Sequence, residues 1–113
     1  MTEKELIDLR NGAEVTKVQF KERVLDKYDT ACELVAFSNS HGGTIVIGIN
    51  DKTGNINPLS FVEIQETTNL LTNLASENVF PNILIDIDTV KVDGGQVVIA
   101  TISEGKNKPY HDN

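Results

Sequence analysis

The sequence predicts a single α+β domain, a mixed β-sheet with helices packed on it, in the element order α β α β α β β. Three observations carry this reading. Three boxes of the form Ser/Thr-x-x-Glu, at Thr2 and Glu5, Thr30 and Glu33, and Ser60 and Glu63, mark helix starts. A continuous β-branched run from Thr44 to Asn50 is the mark of a central strand covered on both faces. Two further apolar runs flank Asp93-Gly94-Gly95, a hairpin signal with a turn of two or three residues. The chain has 113 residues, the length of one domain, and it reads as one unit over 1–113.

Taken in order, the Thr2 box opens a helix over 3–10, and a strand follows over 15–21. The Thr30 box opens a helix over 31–40. Ala31, Cys32, Leu34, Val35, Ala36 and Phe37 make it apolar nearly all round, as a buried helix is. Cys32 within that run reads as an inert core thiol. Gly42-Gly43 closes the helix, because glycine takes the left-handed conformation of a C-terminal cap. The central strand spans 44–50, and Asp51-Lys-Thr-Gly54 is a turn. Leu59 before the Ser60 box and Ile64 after it can form a hydrophobic staple for a helix over 61–78. That helix has an apolar stripe at Ile64, Leu71, Leu74 and Ala75, flanked by Leu70. Strands over 83–92 and 96–103 complete the order.

Composition narrows the function. The net charge is −7, so the chain as a whole repels polyanions and any nucleic-acid surface must be a local basic patch. A lone cysteine rules out disulfide scaffolds and zinc fingers. No apolar run approaches the length of a signal peptide or a membrane span, so a cytoplasmic location and no membrane partner are expected. His41 and His111 are too few for a histidine metal site, and no metal or other cofactor is expected. His41-Gly42-Gly43 lacks the spacing of a phosphate loop and ends a helix where such a loop would open one.

The charge is polarised. Six acids lie between 59 and 103 against Lys91 alone, while cations cluster in the first strand and the last loop. Strand alternation places Lys17, Gln19, Lys21 and Arg23 on one face, with Val18 and Phe20 opposite. That row suits a phosphate track; it equally suits a solvated edge strand defended by charge. In the loop from Gly105 to His111, Lys106 and Lys108 are candidate phosphate contacts and Tyr110 a candidate base-stacking residue.

These segments together resemble the Schlafen-type AlbA-like domain. Glu14-Val-Thr-Lys-Val-Gln-Phe-Lys-Glu22 looks like its opening strand. The stretch from Leu34 to Asp51, with Phe37-Ser-Asn-Ser-His-Gly-Gly43 leading the central strand, resembles its most specific motif. Gly105-Lys-Asn-Lys-Pro-Tyr110 resembles its closing loop. The resemblance covers nearly the whole chain. It implies a DNA-binding module placed ahead of a further domain in bacterial transcriptional regulators, so the chain is expected to be the N-terminal piece of a longer regulator. In vertebrate Schlafen members a related core cleaves tRNA and rRNA with three carboxylates. Carried over by position, these fall on Glu14, on Gln19, and on Asp51 or Asn50. Gln19 departs from the pattern, because an amide supplies no negative charge to a metal site.

The adopted reading is a nucleic-acid-binding module, DNA favoured over RNA and itself non-catalytic, contacting phosphates through Lys17, Lys21, Arg23, Lys106 and Lys108, with Tyr110 stacking. The first alternative is a metal-dependent RNA endonuclease using Glu14 and Asp51 with Mg²⁺ or Mn²⁺. The second is a protein-interaction module that forms a homodimer through an edge strand.

Overall fold

A computed structural model describes residues 2–10, 17–80, 83–105, 109 and 111–112 of the chain. The predicted α+β architecture is present. Its elements are α1 (Glu3–Arg10), β1 (Val18–Lys21), α2 (Lys27–Asn39), β2 (Gly43–Ile47), α3 (Phe61–Asn73), β3 (Val79–Phe80), β4 (Ile85–Val92), β5 (Gly95–Ile102) and β6 (His111–Asp112). The main sheet has the order β1-β2-β5-β4. β1 runs parallel to β2, with Val18 opposite Thr44 and Lys21 opposite Ile47. The connection between them is α2, because parallel neighbours need a crossover and a helix supplies it. β5 is antiparallel to both β2 and β4. The short strands β3 and β6, absent from the sequence-based expectation, form a separate two-stranded ladder.

Alternation sorts the strand side chains into two cores. Ile45, Ile47, Val98, Ala100 and Ile102 face α2 and α3, where Leu34, Phe37, Leu71 and Leu74 meet them. On the other face Val46, Val90, Val97 and Ile99 pack with Ile49 and with Leu6 of α1. The result is three layers, α1, sheet, and α2 with α3. Both faces of β2 are therefore covered, as its unbroken apolar run requires. β2 stops at Ile47 because Gly48 takes a φ of 119°, and Ile49 then makes only an isolated bridge to Ile56. The predicted hairpin is in register, with Val92 opposite Gly95 across Asp93-Gly94.

The Ser60 box forms as expected. Its hydroxyl accepts from the Glu63 N–H at 3.2 Å, and the Glu63 carboxylate accepts from the Ser60 N–H at 3.0 Å. The third helix continues past Asn73 as a π-helical turn, Leu74–Asn78. In that turn the Ala75 carbonyl accepts from the Ile83 N–H. Two expectations are corrected. α2 begins at Lys27, a turn earlier than the Thr30 box implies. Asp26 is its cap, accepting from the Tyr28 and Asp29 N–H groups, and the Thr30 hydroxyl is spent donating to the Asp26 carbonyl. Cys32 is exposed, because α2 lies on the sheet with one side only and Cys32 and Ala36 occupy its outer side.

Candidate functional site

The end of α2 is built by its own termination. The helix stops at Asn39, Ser40 turns back to the Phe37 carbonyl, and Gly42, at φ 81°, donates its N–H to the same carbonyl at 2.8 Å. This turn receives chain from both ends of the domain. The Lys17 carbonyl accepts from the Thr44 N–H, and the Lys17 ammonium lies 5.9 Å from the centroid of the Phe37 ring, within cation–π range. From the other terminus, the Gly105 N–H donates to the Ser38 carbonyl at 2.9 Å. Lys17 is exposed and, among the described residues, pairs with no carboxylate. A helix C-terminus carries partial negative charge, which favours a cation beside it. His41 and Glu104 add a pair at 3.5 Å to the same end.

The rest of the predicted cation row is neutralised within the molecule. Lys21 does share the helix-facing side of β1, since Val18 and Phe20 pack in the opposite core. There it binds Glu33 of α2 at 2.7 Å, and the second Glu33 carboxylate oxygen is buried without a hydrogen-bond partner. Arg23 lies beyond the end of β1. Its Nε donates to Glu63 at 2.9 Å, Nη1 to the Glu22 and Asn57 carbonyls, and Nη2 to the Pro58 carbonyl. It thereby staples the exit of β1 to the start of α3.

Gln19 is exposed at mid-β1, opposite Ile45 in β2, whereas Asp51 sits in the turn beyond the far end of β2. That turn is organised by Asn50, whose side chain accepts from the Lys52 and Thr53 N–H groups. Among the described residues no three His, Cys, Asp or Glu side chains are grouped to hold a metal ion. Glu14, Lys106, Lys108 and Tyr110 lie outside the described residues. Sequence reasoning missed Glu33 as the partner of Lys21, having assigned it to a cap. Its place on the β1 side of α2 follows only once the helix start is known.

Glu63 is held below the ordinary Glu value of 4.5, first by the Ser60 backbone N–H and then by Arg23. A carboxylate so depressed stabilises the fold above its unfolded pKa, and that contribution is lost as pH falls through the folded value. Glu63→Gln is therefore expected to lower stability at neutral pH and to flatten its decline below about pH 4.5. Urea unfolding midpoints at neutral and acid pH measure this. Parallel declines in the two proteins would remove the assignment.

The family model described as Schlafen, AlbA_2 matches residues 14–113. Among solved structures, the N-terminal domain of a protein from Nitrosomonas europaea, named for its relation to the ATP-dependent DNA helicase RecG, aligns over 96% of this chain and 77% of its own. The identity there is 17% and the TM-score 0.72. The DIP2311 protein of Corynebacterium diphtheriae aligns over the same 96% at 17% identity and a TM-score of 0.61, and the chain spans 23% of its length. At such identities the likeness shows a shared fold. No curated protein sequence matches the chain. No helix among the described residues is long and apolar enough to cross a membrane.

Proposed function

The chain belongs to the Schlafen AlbA_2 family, and from that membership we propose that it is a nucleic-acid-binding module whose contact surface gathers at the C-terminal turn of α2. The observation that supports this reading is that Lys17 and Gly105, from opposite ends of the sequence, both rest on that turn, at Phe37 and Ser38. Lys106, Lys108 and Tyr110, which follow Gly105 in the sequence, are the further phosphate and stacking contacts of this proposal. Lys21 and Arg23 are subordinate contacts in this proposal, because each gives up an ion pair to reach a phosphate. The acids of 59–103 orient the module by repelling the polyanion from the rest of the surface. We assign DNA as the favoured target, within a cytoplasmic bacterial transcriptional regulator. The RecG-related name of one structural neighbour is consistent with a DNA target.

Titration of the chain with duplex DNA and with structured RNA, each at two salt concentrations, tests the proposal. Binding is expected at low salt and weakens as salt rises, with a slope shallower than that of proteins making roughly six to ten phosphate contacts. Lys17→Glu is expected to cost about tenfold in affinity and to reduce the salt slope by about one. Lys21→Ala is expected to cost less. Absence of binding at low salt, or indifference to Lys17→Glu, would overturn the assignment.

A further inference from the structure

A cavity of about 360 Å³ opens between the segment leaving β1 and α3, at the opposite end of β1 from Lys17. Arg23, Val24, Glu63, Glu66, Thr67 and Leu70 line it. Val24 and Leu70 are half-buried against the helix-side core and give it apolar walls. Thr67 is 9% exposed. The hydroxyls of Thr30 and Ser76 donate to carbonyls one turn back, whereas that of Thr67 takes no hydrogen bond among the described residues. Thr67 thus keeps a hydroxyl on the cavity wall that a ligand can reach.

The charge of the cavity selects the ligand. The Arg23 guanidinium is engaged by Glu63 and by three backbone carbonyls, so its charge is largely offset within the molecule. Glu66, one turn beyond Val62 on α3, is exposed and makes no ion pair among the described residues. One cation against two carboxylates leaves the cavity negative. Its volume is near the lower bound of ligand pockets, enough for one long side chain. Next in sequence to the lining residues Val24 and Glu63 are two exposed apolar side chains, Leu25 at 91% and Val62 at 60% exposure.

We propose that this groove docks a basic, leucine-like segment of a partner protein. One arginine or lysine side chain enters with its methylene stem against Val24 and Leu70. Its charged head meets Glu66 and the Thr67 hydroxyl, and the apolar neighbours of that residue cover Leu25 and Val62. The site lies at the opposite end of β1 from Lys17, the main contact of the proposed nucleic-acid surface, and carries the opposite charge.

The test is a titration of the isotopically labelled full chain with a short acetylated and amidated peptide bearing one arginine between two leucines, followed by amide chemical shifts. Progressive shifts are expected at Val24, Glu66, Thr67 and Leu70. Replacing the arginine with neutral citrulline, or Glu66→Lys in the protein, is expected to weaken binding about tenfold. Glu66 is exposed, so its variants keep the native spectrum, and Glu66→Gln gives a milder loss of the same sign. Lys17→Glu leaves peptide binding unchanged, which separates this site from the nucleic-acid surface. Absence of shifts at millimolar peptide, shifts elsewhere on the molecule, or equal binding of the citrulline peptide would overturn the proposal.

Discussion

Gly42→Ala is expected to lower the unfolding free energy by about 3 kcal/mol, from two additive causes. The backbone at Gly42 has a φ of 81°, where any side chain is strained by about 1–2 kcal/mol. An added methyl would also lie 2.5 Å from the Ile102 carbonyl oxygen and 3.0 Å from the Glu104 backbone nitrogen. Those are backbone atoms at the end of β5, which cannot swing aside as a flexible side chain does. Gly94 supplies the internal control. Its φ is 90°, yet the nearest atom to an added methyl is Pro58 Cγ at 3.6 Å. Gly94→Ala should therefore cost the conformational term alone, about 1–2 kcal/mol. Urea unfolding of both variants reads the difference. Equal losses would mean that the crowding at Gly42 relaxes and that the α2 turn is not clamped against β5. If the clamp is real, the same substitution also disturbs the approach of Gly105 to Ser38, and weakens nucleic-acid binding beyond what the loss of folded protein explains.

The sheet and its two cores were legible because they obey a period. Ile45 and Ile47 on one side and Val46 on the other follow from strand alternation, and the β4–β5 register follows from a two-residue turn. The Ser60 box was legible because its staple residues, Leu59 and Ile64, both reach the same core. The identical pattern at Thr30 misled. A hydroxyl inside the first turn of a helix can donate backwards to a carbonyl, and nothing in the spacing separates that from a cap. Asp26, with Asp29 in the first turn, was the better signal. Ion pairing was not legible either. Lys21 and Arg23 looked like free cations because Glu33 and Glu63 come from other elements, and only the folded crossover brings them together. The convergence of Lys17 and Gly105 on the α2 turn was not legible, since no local rule joins the two.

Leu6→Ala is expected to cost about 3 kcal/mol, although Leu6 lies before the family-matched segment, which begins at residue 14. An isolated helix as short as α1, with eight residues, is marginal in water, and capping by Thr2 cannot rescue it. Docking must hold it, and Leu6, with no exposed surface, is the α1 residue that joins the buried cluster of Val46, Val90, Val97 and Ile99. Truncation there removes the anchor and opens a cavity on this face of the sheet. Ile7, half-exposed on the same helix, is the control and should cost less than half as much on replacement with alanine. Hydrogen exchange supplies the second readout. Amides of α1 should lose protection in Leu6→Ala, and those of Val46 and Ile99 should follow. A cost below about 1 kcal/mol would mean that this face closes without α1. The predicted cost makes α1 part of the folding unit, so binding measured on 14–113 alone would confound a lost contact with an opened core.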